Sequence, residues 1–193
     1  MKLRVLIYPT LVVLVLMSQG CLSYILSGFT VIEKSKFIKP QWVELDGFCI
    51  HSSNLSFVHK QAKSYDLPLG LKQSQEDAIS NIQKLLPSEI KSKLRLIANS
   101  NGIKIYNTSG LNKVSFLQNS FATKFTLSDI YYEKLASTDE NPDFYKIDVL
   151  MQISGSDHSL LCSSLIKALA REKSSDLAKL SKVLESAPNN CMH

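Results

Sequence analysis

Phe144-Tyr145-Lys146-Ile147-Asp148-Val149-Leu150-Met151-Gln152-Ile153 is the stretch that decides the fold. Tyr145, Ile147, Val149, Met151 and Ile153 alternate with Lys146, Asp148, Leu150 and Gln152. Successive side chains of a strand point to opposite faces, so this period of two predicts a strand. Just upstream, Ser137-Thr138-Asp139-Glu140-Asn141-Pro142 supplies turn-forming residues. Residues 121–135 then read as the other strand of a hairpin.

Downstream, the period changes. Ser156 or Asp157 is a candidate N-cap, and Leu161, Leu165, Ile166 and Leu169 recur at helical spacing. A last helix carries Leu177, Leu180 and Leu184 inward, with Pro188 closing it.

Upstream of the hairpin, Ser74 with Asp77 three positions later resembles a capping box. Ala78, Ile79, Ile82, Leu85 and Leu86 follow as one helical stripe, which Pro87 should end or kink because proline lacks an N–H. From Ile90 the period shortens to two. Ser92, Leu94, Leu96 and Ala98 fall on one side, and Lys91, Lys93 and Arg95 on the other, which predicts a half-buried strand. Asn99 to Gly102 reads as a turn, 103–106 as extended, and 109–120 as a short helix. Residues 55–65 read as extended, followed by a loop at Pro68 and Gly70. Pro40-Gln41-Trp42-Val43 opens the domain with the only tryptophan. Together these parts predict an α+β fold, a mainly antiparallel sheet with helices packed on one face plus C-terminal helices.

The first residues carry an address. Lys2 and Arg4 precede the mostly apolar run Val5 to Met17, then come Ser18-Gln19-Gly20 and Cys21. A charged start, a short apolar run and small residues at a cut site make an export signal. A cysteine just past the cut makes it a lipoprotein signal, in which the Cys21 thiol receives a diacylglyceryl group. Ser18 and Gln19 depart from the commonest residues of such a site. Two rivals stay open: ordinary signal cleavage, and an uncleaved inner-membrane signal anchor. No charged residue occurs from Val5 to Ile32, and a spanning helix needs about 20 apolar residues, although Pro9 interrupts the run. Leu22, where inner-membrane retention favours Asp, points to the outer membrane with the domain facing the periplasm. The expected layout is a signal peptide over 1–20, a tether or first extended segment over 21–38, an α+β domain over 39–153 and a C-terminal helical segment over 154–193.

Charge is mild. The chain of 193 residues holds 22 Lys+Arg against 17 Asp+Glu. Loss of Lys2 and Arg4 would lower the formal charge from +5 to +3. Such a balance does not argue for nucleic acid, which usually needs a dense basic stripe. Lys91, Lys93 and Arg95 are candidate contacts to an anionic surface, where each cation contributes about 1 kcal/mol; a solvated strand face is the simpler account. In an oxidising compartment one disulfide is expected among the remaining cysteines, with Cys49 and Cys191 the first pairing to test and Cys162 a core residue. No Cys-x-x-Cys or His-x-x-x-His spacing occurs, so neither a metal nor a cofactor is expected.

Ser156-Asp157-His158 brings three catalytic residue types together, yet adjacent residues rarely converge into a proton relay. A helix cap explains them better, and His51 and His59 read as surface or satisfied core. The best polar–aromatic cluster is Asp129, Tyr131 and Glu133, which share one side of the first hairpin strand. These three are the candidate binding face, with an ordinary exposed strand face as the simpler account.

The order of these parts resembles the twenty-kilodalton membrane-associated lipoprotein (Lpp-twenty) family of Gram-negative bacteria. The matching pieces are Cys21, Pro40-Gln41-Trp42-Val43, Glu76-Asp77-Ala78-Ile79, Leu94-Arg95-Leu96, Ser128-Asp129-Ile130-Tyr131-Tyr132-Glu133 and Phe144-Tyr145-Lys146-Ile147-Asp148-Val149. The family's repeated alanines in the first helix are mostly absent here. The resemblance implies a cell-envelope lipoprotein without known catalysis, and the leading expectation is a structural or protein-interaction role, lipid-anchored in the membrane and bound to an envelope protein partner. The alternatives are a periplasmic binding module for an envelope glycan or small molecule and, after that, a hydrolase.

Overall fold

The computed structural model of the protein describes residues 29–51, 54–105, 111, 120–137 and 142–186. Strand β1 (Phe29–Lys34) is followed by a 3-10 turn (Gln41–Glu44), then β2 (Gly47–His51) and β3 (Asn54–Ser64). Helix α1 (Leu67–Ser100) precedes the hairpin β4 (Thr126–Ser137) and β5 (Phe144–Gln152). Helices α2 (Gly155–Ala170) and α3 (Ser175–Ser186) complete the order. The strands form one antiparallel sheet in the order β1-β4-β5-β3-β2. The fold is α+β, and β5 lies where its alternation places it; its partner strand, expected over 121–135, begins only at Thr126, because residues 120–122 are helical. No helix among the described residues is long and apolar enough to cross a membrane.

Alternation along β5 divides the interior into two cores. Ile147, Val149 and Met151 point toward the helices and join the main core. Leu150 points the other way, into a second cluster with Trp42, Val43, Val58 and Tyr131. Helix α1 packs across β3 and β5, α2 touches β3, and α2 and α3 pack on each other. Leu177, Leu180 and Leu184 are buried in the main core, so the C-terminal helices complete the domain. Likewise β1 pairs with β4, from Phe29 opposite Ser137 to Lys34 opposite Glu133. The extended segment before residue 39 therefore belongs to the sheet.

The largest correction concerns α1. Its 34 residues span about 51 Å at 1.5 Å per residue. Asp66 caps it by accepting from the Leu69 N–H, two turns before Ser74. Ser74 is instead buried in the helix, where its hydroxyl donates to the Gly70 carbonyl at 2.7 Å and also contacts Gln61. The expected loop at Pro68 and Gly70 is the first turn. Pro68 suits that turn because its missing N–H is not needed there. Gly70 is required by close approach: a Cβ would fall 2.5 Å from Ser64 Oγ and 2.6 Å from Ile147 Cδ1.

The helix then runs through Pro87. Only the Gln83 carbonyl loses its donor, and Gln83 is exposed, so water can replace it. The expected strand at 90–98 is the last third of α1. Buried positions continue every four residues, through Ala78, Ile82, Leu86, Ile90, Leu94 and Ala98. Leu96, assigned inward by alternation, is 60% exposed. Lys91, Lys93 and Arg95 thus lie on a helix, where Lys91 and Arg95 share a side and Lys93 diverges. The turn at Asn99 to Gly102 holds as the helix end. Gly102 takes φ +68, and the N–H groups of Gly102 and Ile103 reach the Asn99 and Ala98 carbonyls, a Schellman closure. Most of the helix expected at 109–120 lies outside the described residues.

Candidate functional site

The candidate face forms by strand register. Asp129, Tyr131 and Glu133 of β4 lie opposite Leu150, Asp148 and Lys146 of β5. On the far side of β5, Lys60 pairs with Asp148 and Val58 with Leu150. The result is a charged and aromatic band across the sheet, on the side away from the helices.

This face is not open. Residues 35–46 cross it as a strap between β1 and β2, and its 3-10 turn drives Trp42 and Val43 into the second core. Trp42 Nε1 donates to Asp129 Oδ2 at 2.9 Å. Lys36 Nζ lies 2.5 Å from Asp129 Oδ1, and the Tyr132 N–H donates to Ser35 Oγ at 2.9 Å. Tyr131 is 1% exposed, and its hydroxyl donates to Glu133 Oε1 at 2.7 Å. The three residues are together, as the alternation predicts, but Asp129 binds the strap, Tyr131 packs beneath it and Glu133 accepts from Tyr131. Lys36 and Trp42 stand 93 and 87 residues from Asp129 in sequence, so no local signal could link them.

The two aspartates of this face differ. Burial pushes Asp129 upward, but hydrogen bonds from Lys36, Trp42 and the Ile130 N–H outweigh it and hold the carboxyl below its ordinary range. Asp148 is 2% exposed, and its Oδ1 has no hydrogen-bond partner. Burial raises its pKa, against the pull of Lys146, Lys60 and Lys39. Its carboxyl thus gives up its proton less readily than an ordinary aspartate's, as burial in a low-dielectric setting requires.

Ser156, Asp157 and His158 diverge. Ser154 is the N-cap of α2 and accepts from the Asp157 N–H at 3.1 Å. His158 is buried with Nε2 3.7 Å from Cys162 Sγ. His59 is half-buried, with Nδ1 3.3 Å from Asn81 Nδ2 on α1.

The expected Cys49–Cys191 disulfide is corrected. Cys49 is a free thiol, packed against the second core under the strap, and burial pushes its pKa up. Cys162 is disulfide-bonded on the other side of the sheet, in the main core. Cys191 and Cys21 also lie outside them.

A site that the alternation did not mark is the free edge of β1. Val31, Ile32, Glu33, Lys34 and Phe37 line a shallow open groove of about 390 Å³. A bulge at Ile32 interrupts the ladder with β4 and turns that side chain outward. Phe37 is 98% exposed and Ile38, just beyond the groove, 78%. At the opposite edge, Lys93 with Glu89 of α1 borders a much smaller hollow beside Phe48, Cys49 and Ile50.

Comparison of the chain with family models, curated proteins and solved structures found no match.

Proposed function

We propose that this chain is a cell-envelope lipoprotein of the Lpp-twenty kind, anchored in the outer membrane through an acylated Cys21. Its α+β domain faces the periplasm and binds a protein partner. More than one acyl chain on a single residue makes such an anchor stable rather than reversible.

The observation that carries the partner reading is the apolar edge made by Ile32, Phe37 and Ile38. Exposed large apolar side chains grouped at a sheet edge mark interaction surfaces more often than scattered ones do. The bulge at Ile32 disfavours a full added strand, because it breaks the edge ladder. The partner therefore reads side chains in the groove, with Glu33 and Lys34 flanking the apolar contact. A glycan-binding role for Asp129, Tyr131 and Glu133 is disfavoured by the strap, which binds Asp129 through Trp42 and packs over Tyr131.

The test places a photo-crosslinking residue at Ile32, Phe37 or Leu96 in the full chain, in its own cells. The partner reading predicts one discrete adduct from positions 32 and 37, absent from 96, and weakened at 32 by Phe37→Glu. The same products from position 96, or none from 32 and 37, would overturn it.

A further inference from the structure

We infer that the end of the sheet where the N-terminal segment enters rests on the phospholipid surface of the membrane. The inference builds on N-terminal membrane attachment, and it gives the domain an orientation.

Two pairings define this end. Phe29 lies opposite Ser137, and Ser64 lies opposite Tyr145. Helix α1 also starts here, one short step after Ser64. Three large apolar residues meet solvent at this end: Phe29 at 37%, Tyr65 at 59% and Leu69 at 53%. Lys63 lies between two rings here, its Nζ 5.0 Å from the Tyr65 ring centre and 4.5 Å from that of Phe144. Phe144 in turn meets Phe29 edge to face at 5.1 Å. Aromatic rings with a lysine lying along them suit the headgroup layer, where each side chain has an apolar body and a polar tip. Of the described acids nearby, Asp66 caps α1 and Asp143 faces Lys134 at 3.6 Å.

Tether length selects the occupant. Only residues 22–28 separate Cys21 from β1. Fully extended, the eight residue steps from Cys21 to Phe29 reach about 28 Å at most. An acylated Cys21 therefore holds Phe29 within that distance of the bilayer, and an uncleaved apolar run would hold it closer. The exposed apolar residues lie at the end that this tether draws down. Ser100, at the other end of α1, lies about 45 Å further along the helix axis.

The test uses the full chain, reconstituted into vesicles of phosphatidylethanolamine and phosphatidylglycerol with brominated acyl chains. Tyr65→Trp, Leu69→Trp and Leu96→Trp each add one tryptophan to Trp42. Interfacial side chains settle about 5–10 Å into the headgroup and acyl boundary, so bromine should remove about half of the emission added at 65 and 69. The emission added at 96 should be unaffected. Chains that float with the vesicles but show no more quenching at 65 and 69 than at 96 overturn the orientation and leave the anchor standing. Chains that do not float overturn both. Quenching at 65 that follows protein concentration and not lipid would make this end a self-association surface and also overturn the inference.

Discussion

Trp42 Nε1 donates a 2.9 Å hydrogen bond to Asp129 Oδ2, tying the strap to the sheet face it covers. Trp42 is also the largest side chain of the second core. Trp42→Ala should destabilise the protein by about 3–5 kcal/mol, the usual cost of deleting a buried aromatic. Trp42→Phe keeps most of the packing but loses the donor, and should cost about 1 kcal/mol. Urea unfolding measures both. Equal losses in the two variants would show that the hydrogen bond, and not the packing, holds the strap.

Asp129 and Asp148 should give opposite pH dependence from one face. Asp129 has a lowered folded pKa, so its stabilisation is present above the unfolded carboxylate value and is lost as pH falls through the folded one. Asp148 has a raised folded pKa, so its protonated form favours folding at low pH. That advantage is lost as pH rises through the folded value. Asp148→Asn should therefore stabilise the protein by about 1 kcal/mol at neutral pH. The gain should vanish below the unfolded value of about 3.9. Lys146, Lys60, Lys39 and Glu133 all act on this carboxyl. Thermal melts of the variant and the parent from pH 3 to pH 8 read the difference. A gain that grows on acidification would contradict the assignment.

Pro87 sits within a continuous helix. An interior proline costs about 3 kcal/mol relative to alanine where the helix is otherwise regular. Pro87→Ala should raise stability by about 1–3 kcal/mol and add helical signal in circular dichroism. Lower stability with no helical gain would favour a break at this point.

The cysteines should label in order. Cys49 is half-buried with a raised pKa, so its native thiol should alkylate slowly, and rapidly once the chain unfolds. Cys162 should resist alkylation even in denaturant until a reductant is added. Peptide mass spectrometry separates the two. Labelling of Cys162 without reductant would contradict its bonded state.

The hairpin and the C-terminal helices were legible because their patterns are local. Tyr145 to Ile153 alternates cleanly, and Leu161, Leu165 and Leu169 repeat at four. The same rule misread 90–98. Ser92, Leu94, Leu96 and Ala98 alternate by coincidence, while Ile90, Leu94 and Ala98 carry the helical repeat that packing uses. Pro87 added to the error, because a solvent-facing carbonyl tolerates the proline that sequence rules treat as a stop. Asp129, Tyr131 and Glu133 were legible as a group, but their cover was not. Lys36 and Trp42 reach Asp129, and Ser35 reaches the Tyr132 backbone, from 87 to 97 residues away. The apolar edge at Ile32 and Phe37 escaped because its exposure follows from a bulge and a bend, and neither leaves a period.

The central claim is that Cys21 bears the lipid anchor. The most direct test is Cys21→Ser in the full chain, followed by metabolic palmitate labelling and membrane fractionation. The account predicts that labelling is lost and that the variant shifts out of the outer-membrane fraction. Unchanged labelling and fractionation would contradict it.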